Sequence, residues 1–383
     1  AEDRVTFESL RERARELAAR PHVERGGVPD WIRKLTYDQF RLIEFDAANT
    51  VWRREGLPFQ LQFFHPGFVH DRVVSVHELN AGIAAPIPFV RQLFNYRSLT
   101  TGEIPPSLGF AGFKILYPLN QPADELGAFL GASYFRLLCK KAGYGLSARG
   151  IAVNTAQASG EEFPRFTEFW VSRPSANAKG LEVFALLEGP SVTGACRFFI
   201  LPGADTLTQV RVAFFPRQSI AVLGVAPLTS MYWRGENSRQ QTDDFRPEVH
   251  DSDGLSILTG ANEWIWRPLS NPKELRVMSF ADDNPRGFGL MQRDREFFHY
   301  EDLEANYQNR PSAWVEPVGS WGRGCIRLVE IPTANEFSDN WVGRPPTSLI
   351  LSAWRSTSTV LGCAPCPRAH LPNRSCGSGK ARS

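Results

Sequence analysis

Short runs of β-forming residues, repeated at close intervals, constrain this chain more than any other feature. Beyond Ala152 the sequence alternates segments rich in Val, Phe, Ile and Thr with turns of Gly, Pro, Asn and Asp. The clearest runs are 163–171, 181–187, 194–201, 207–215 and 220–225. Strands of this length at this spacing are typical of a sandwich or a barrel. We therefore predict an all-β fold.

Helical patterns are few and fall mostly near the start of the chain. Residues 6–20 place apolar side chains at helical spacing, and Pro21 ends that pattern. Residues 36–39 have the form of a capping box. The segment 126–138 is a third helix candidate because it combines apolar residues over a helical length. We expect these helices to be small additions to the β domain.

Charge and composition exclude several classes of protein. The chain has 43 Lys and Arg against 41 Asp and Glu, so its formal charge is only +2. A protein that binds nucleic acid electrostatically carries a strongly basic face, so we expect no nucleic-acid partner. No window holds 18 consecutive apolar residues, and we therefore expect no transmembrane helix. Aromatic residues reach 12% of the chain, which fits the half-buried surfaces of a β-sheet.

The last 41 residues differ in composition from the rest. Residues 343–383 contain five Arg and one Lys but no acidic residue, and we predict that they are poorly ordered. Their Cys363, Cys366, His370 and Cys376 are zinc-ligand types, but a single CxxC with irregular partners is a weak signal. We expect no metal and no cofactor. The other three cysteines are predicted to be small buried residues: Cys139, Cys196 and Cys325.

Chemistry-bearing side chains concentrate between residues 231 and 340. This region places carboxylates beside tryptophan and tyrosine many times over. Sugar rings stack on aromatic faces, and their hydroxyl groups bind Asp, Glu, Arg and Asn. Hydrolysis of a glycosidic bond needs two carboxyl groups, one protonated and one ionised. The alternative interpretation is that these are turn residues and core aromatics of a β protein, and the residues alone leave both open.

Five tryptophans lie in this region, and we predict that at least two line a groove as platforms for sugar rings. Trp233 and Trp314 are the best candidates. Trp264 and Trp266 are two positions apart, so they share one face of a strand. We expect that pair to be in the core.

Several segments resemble the periplasmic glucans biosynthesis protein G/D family. They are 7–61, 64–67, 246–254, 310–312, 314–317 and 328–333. The resemblance runs from about residue 6 to 340. It implies an N-terminal helix over 1–21 and a large galactose-mutarotase-like β-sandwich over 22–342, with a few inserted helices. It also implies a periplasmic location, with the signal peptide presumed removed.

The resemblance further implies the activity and its residues. D-type members of the family resemble inverting endo-β-1,2-glucanases, whereas the role of G-type members is less settled. The general acid matches Asp339, the general base matches Asp251, and a tyrosine near the centre matches Tyr307. The base is thought to act through a relay of water and substrate hydroxyls. The expected substrate-binding residues are Trp233, Arg246, Glu248, His250, Asp253 and Trp314.

Two alternatives to hydrolysis of linear β-1,2-glucan stay open: a non-catalytic glucan-binding or scaffold protein, and an inactive product. A homodimer is also left open. Ser320 and Arg323 stand where the family commonly has acids. After Asn340 the resemblance dissolves by Gly343 into the acid-free tail. We expect this to reflect truncation or a shifted reading frame, so that the family's immunoglobulin-like domain is not encoded.

Overall fold

The computed structural model describes residues 4–24, 27–106, 108–237 and 243–336, together with the backbone of 358–364. Strands dominate this part of the chain. The helices are α1 Phe7–Ala18, α2 Asp30–Arg33, α3 Tyr37–Phe40 and α4 Phe297–Tyr300, with 3₁₀ turns at Ala47–Asn49, Arg91–Leu93 and Tyr307–Asn309.

The strands of the first half of the chain are β1 Glu44–Phe45, β2 Gln60–Phe64, β3 Ser75–Asn80, β4 Ile83–Pro86, β5 Phe94–Asn95, β6 Gly112–Leu116, β7 Glu125–Leu130, β8 Tyr134–Leu137, β9 Ser147–Arg149, β10 Ile151–Val153, β11 Arg165–Ser172 and β12 Leu181–Glu188. Those of the second half are β13 Val192–Leu201, β14 Thr206–Pro216, β15 Leu223–Val225, β16 Leu228–Thr229, β17 Tyr232–Arg234, β18 Val249–His250, β19 Gly254–Leu258, β20 Trp264–Pro268, β21 Arg276–Asp283, β22 Gly287–Met291, β23 Ser312–Pro317, β24 Arg323–Glu330 and β25 Ser358–Ala364.

Two sheets pack face to face. The larger has eleven strands in the order β20-β19-β22-β23-β25-β14-β13-β12-β11-β3-β4, and the smaller has six in the order β16-β9-β8-β7-β6-β2. Phenylalanine rings from both sheets meet between them: Phe129 of the smaller sheet lies 5.4 Å from Phe169 and 5.2 Å from Phe198 of the larger. These rings belong to one continuous buried core. The mainly β sandwich predicted from the sequence is confirmed.

The periodicity of the sequence located four adjacent strands of the large sheet. The five predicted runs correspond to β11, β12, β13, β14 and β15. The first four are neighbours in the sheet, and β12, β13 and β14 pair antiparallel without a register shift. Runs that are mostly buried on both faces read as nearly continuous apolar sequence, which is why they stand out.

The predicted first helix is confirmed as α1. The Thr6 hydroxyl caps it by accepting from the Ser9 backbone N–H at 3.1 Å. Its buried face packs on the outer side of the large sheet against Trp170 and Phe184. The capping box at residues 36–39 is also confirmed, although α3 is a single turn.

The helix predicted over 126–138 is wrong. This segment is the hairpin of β7 and β8, which turns at Gly131 and Ser133, both with positive φ. Its apolar residues are frequent because four side chains belong to the main core, namely Leu126, Phe129, Phe135 and Leu137, and not because they follow a helical stripe. A Cβ at Gly127 would lie 2.4 Å from the Arg136 carbonyl oxygen, so the two strands approach too closely for a larger residue.

One stretch of the acid-free tail forms β25, between β14 and β23. The rest of the tail, including the zinc-ligand types beyond that strand, lies outside the described residues. Among the body cysteines, Cys139 and Cys196 are buried and Cys325 is partly buried. No helix in the described ranges is both long and apolar enough to cross a membrane.

Candidate functional site

The motif His250-Asp251-Ser252-Asp253 runs beside the segment that follows the edge strand β16 of the smaller sheet. The Asp251 backbone N–H donates to the Met231 carbonyl at 2.9 Å, and β17 pairs with β18 just before this point. Successive side chains of an extended segment point to opposite sides. His250 and Asp251 therefore belong to two different groups of charged residues, one on each side of the segment.

Asp251 is largely enclosed and forms an ion pair with Arg310. Its Oδ1 lies 3.3 Å from Nε of Arg310, and the Arg310 guanidinium lies 5.1 Å from the Tyr307 ring centre. Burial raises the pKa of Asp251 above its ordinary value, and the positive charge of Arg310 partly opposes that rise. The result is a carboxylate that holds a proton more tightly than an exposed aspartate does.

Tyr307 connects this aspartate to a second carboxylate. Its ring is buried, and its hydroxyl donates to Oε2 of Glu336. The Glu336 carboxylate also accepts two hydrogen bonds from Arg246, at 2.9 and 2.8 Å. Burial is the main cause that raises the pKa of Tyr307 above its ordinary value, and the hydrogen bond to Glu336 raises it further. The phenol therefore keeps its proton and acts as a donor.

Arg246 lies at the centre of this network. Besides Glu336 it contacts Asp302 at 2.6 Å and Asp244 at 2.7 Å, so three carboxylates surround one guanidinium. Hydrogen bonds that Arg246 donates to Asp244 and Glu336 raise the pKa of Arg246. The same contact with Arg246 is the main cause that lowers the pKa of Asp244. Arg234 contacts Asp244 at 3.1 Å and adds a second cation.

The other side of the motif centres on His250. Its Nε2 lies 2.8 Å from Glu248 and 3.6 Å from Asp253, and its Nδ1 lies 3.0 Å from Oε1 of Gln292. The Gln292 amide nitrogen is within hydrogen-bond distance of three oxygen acceptors, which include the Tyr300 hydroxyl. That arrangement orients Oε1 toward His250, so Nδ1 carries the hydrogen of this contact.

Glu248, His250 and Asp253 are also the one group in the described ranges whose three ligand atoms lie within 4.8 Å of one another. A carboxylate–imidazole set of this kind has the donor chemistry to hold a divalent cation. These residues line an open cleft of about 420 Å³. Its other lining residues are Tyr232, Glu236, Asn237, Trp266, Pro268, Arg293 and Asp294.

The structure overturns two of the expectations for the tryptophans. Trp233 is only 7% exposed and packs among Met231 and Val249, so its ring offers no platform to a sugar. Trp264 and Trp266 do share a face, but the expectation of a core pair is wrong, because they are 66% and 37% exposed. Trp314 is partly buried on the same face of the large sheet.

The structure brings Asp251, Tyr307 and Arg246 together in one network. Glu248, His250 and Asp253 form a neighbouring group, and Gln292 links the two by contacting both His250 and the Tyr307 carbonyl. Asp339 lies outside the described residues, three positions after Glu336. Sequence reasoning did not single out the roles of Arg310, Asp302 and Gln292. The only local signal was that Arg310 belongs to one of the resembling segments.

Fold and site together define a mainly β protein whose carboxylates are held by arginines beside the edge of a two-sheet sandwich. The chain belongs to the family described as periplasmic glucan biosynthesis protein, MdoG, which matches residues 5–344. This confirms the family predicted from the sequence.

Curated relatives support the same membership. The chain is 52% identical over 345 residues to glucans biosynthesis protein G of Ralstonia nicotianae, covering 87% of this chain and 68% of the relative. It is 48% identical over 333 residues to the protein of the same name in Shewanella frigidimarina, covering 86% and 60%. The relative in Sodalis glossinidius is 47% identical over 341 residues, covering 88% and 65%. The chain thus spans roughly two thirds of the length of these relatives.

Proposed function

We propose that this chain hydrolyses linear β-1,2-glucan internally, with inversion of the anomeric carbon. Asp251 is the general base and Asp339 is the general acid. The observation that carries the proposal is the Asp251–Arg310 pair, placed next to the Tyr307–Glu336–Arg246 network in a chain from a glucan biosynthesis family. The β-1,2 linkage and the inverting course rest on the family resemblance.

The environment of Asp251 suits a base. A catalytic base works best when its pKa is close to the working pH, and burial moves the pKa of Asp251 in that direction. Arg310 keeps the ionised form accessible. Because Asp251 is largely enclosed, the attacking water is reached through a relay of water and substrate hydroxyls.

The second network supports the acid. Glu336 is fixed by Arg246 and Tyr307, so the chain is anchored three residues before Asp339. Anchoring matters because a catalytic group must be held within about 0.5 Å of its working position. Tyr307 contributes a hydroxyl donor between the two halves of the site.

A second candidate function is glucan binding without hydrolysis, in a scaffold of the synthesis machinery. The burial of Tyr307 and the enclosed Asp251–Arg310 ion pair favour it, since buried ion networks also serve structural roles. Both candidates predict glucan binding, and only the first predicts new reducing ends.

The test is incubation of the purified chain with linear β-1,2-glucan, followed by reducing-end assay, product sizing and NMR of the newly formed anomer. We expect shorter oligosaccharides with inverted anomers. Asp251→Asn should abolish product formation and preserve binding, whereas the exposed Asp205→Asn should match the unmodified chain. Binding without products from the unmodified chain would establish the second candidate instead.

A further inference from the structure

The outer face of the large sheet carries a row of side chains that the proposed catalytic group does not use. In register across four strands lie Trp266 of β20, Ser256 of β19, Gly289 of β22 and Trp314 of β23. The next row on the same face places Trp264 beside Leu258 and Gly287. Residues on the opposite face of these strands, such as Phe288 and Val315, are buried in the core.

The indole rings lie flat on the sheet. Trp264 and Trp314 are on strands three spacings apart, about 14 Å, yet their ring centres are 5.5 Å apart. Both side chains must therefore lean toward each other over the strands between. A Cβ at Gly287 would lie 2.3 Å from Cζ2 of Trp314, and one at Gly254 would lie 2.4 Å from Cζ2 of Trp266.

Glycine at these positions is what allows the rings to lie down. Any larger residue would lift the indoles off the sheet or displace them. The consequence is a shallow aromatic trough whose floor is formed by the indoles: Trp314 lies over Gly287 and Gly289, and Trp266 lies over Gly254. Trp264, two-thirds exposed, presents its ring to solvent there.

The trough leads into the cleft of Glu248, His250 and Asp253. Trp266 and Pro268 lie on the outer face, and both also line that cleft. The Arg293 guanidinium covers the Trp266 ring at 4.6 Å. At the other end, the Trp314 indole N–H donates to Glu316 at 3.0 Å. Flat aromatic rings thus continue directly into carboxylate, imidazole and guanidinium groups.

We propose that this trough is a second glucan-binding surface, separate from the Asp251 site on the other side of the motif. Pyranose rings stack on Trp264 and Trp314, and hydroxyl groups of the same chain bind Glu248, Asp253 and Arg293. The occupant is a β-linked glucan and not another protein, because exposed indole rings adjoin a cleft lined by carboxylate and guanidinium groups in a chain from a glucan biosynthesis family. This assignment rests on the glucan specificity in the proposed function and not on hydrolysis.

The test measures binding of linear β-1,2-glucan of about 20 residues, and of short oligosaccharides, by calorimetry in the Asp251→Asn background so that the ligand persists. Trp264→Ala should weaken binding of the long glucan about tenfold, as expected from loss of one stacked ring. Trp264→Phe should retain most of the affinity. Tyr37→Ala, which removes another exposed aromatic ring on α3, should have no effect.

Hydrolysis of short oligosaccharides by the otherwise unmodified chain should be unaffected by Trp264→Ala. If long-glucan affinity is unchanged in Trp264→Ala and in the Trp264→Ala/Trp314→Ala double variant, the trough is not a glucan surface. If those variants instead convert a dimer to a monomer in sedimentation, the face is a contact between copies and the proposal is wrong. The two proposals can also fail separately. If the unmodified chain releases no products but Trp264→Ala still weakens long-glucan binding, the trough is supported and hydrolysis is rejected.

Discussion

Arg246 binds the Glu336 carboxylate through two parallel hydrogen bonds, 2.9 Å from Nη1 to Oε2 and 2.8 Å from Nη2 to Oε1. The two residues are 90 positions apart in the chain. Only a planar guanidinium can make this forked contact. The pair therefore joins the loop before β18 to the segment after β24, which is the segment that leads to Asp339.

Replacing Arg246 should destabilise the protein strongly. Arg246→Met leaves three partly buried carboxylates without their shared cation, a change that costs about 3–5 kcal/mol of unfolding free energy in comparable buried pairs. Chemical denaturation measures the loss. Arg197→Met removes a more exposed pair with Glu182 and should cost less than about 1 kcal/mol. Equal losses in the two variants would show that Arg246 is not a structural centre.

Tyr307→Phe should lower kcat by about tenfold or more and change KM little. The substitution removes the hydroxyl that donates to Glu336 but keeps the ring beneath Arg310, and hydrogen bonds to charged groups are worth about 1.5–3 kcal/mol. Tyr300→Phe is the matched control, because that hydroxyl accepts from Gln292 and does not touch Glu336. Steady-state kinetics on β-1,2-glucan compares them, and an equal fall in both would remove Tyr307 from the site.

The acidic limb of the pH–activity profile should move when Arg310 is replaced. Asp251 must lose its proton to act as a base, so kcat/KM rises as pH rises through its pKa. Arg310 opposes the burial that raises this pKa, so Arg310→Met should raise the pKa further and shift the limb to higher pH by about one unit or more. Arg286→Met, which alters an exposed arginine, should leave the limb in place. A shift to lower pH would contradict the assignment of Asp251 as the base.

Stability should fall between pH 6.5 and about 4 because of His65. This buried imidazole lies 3.0 Å from the Tyr96 hydroxyl, and burial lowers its pKa from 6.5 to about 4. The unfolded chain therefore binds the proton first, and the contribution present above pH 6.5 is lost as pH falls toward 4. The shift corresponds to about 3 kcal/mol. In His65→Asn, the unfolding free energy should depend less steeply on pH across this range. An unchanged pH dependence would show that His65 does not cause the loss of stability.

The local sequence pattern was enough to locate β11 to β15, because the signals for a strand, alternating side chains and flanking turn residues, lie within a few positions of one another. It predicted these strands and α1 because the local sequence of each segment favours the same structure that packing against its neighbours stabilises. It was wrong at 126–138, where apolar content matched a helical length. The close approach of β7 and β8 and the turn at Gly131 decided that segment, and both depend on pairing between strands.

The site divides in the same way. Alternation along the motif places His250 and Asp251 on opposite sides, whereas the sequence prediction assigned both residues to one glucan site. The partners of each came from elsewhere: Arg310 for Asp251, and Gln292 for His250. Such contacts join residues tens of positions apart, and no local spacing encodes them.

By itself, the sequence determined the mainly β class, the family, the position of the motif around Asp251 and the shared face of Trp264 and Trp266. The tertiary structure decided which face that is, because the glycines of β19 and β22 give the rings room on the outer side while larger residues fill the core. It also decided that Trp233 is buried and that Arg246 joins three carboxylates. Periodicity is a property of one segment, whereas burial and ion pairing depend on which segments the folded chain brings together.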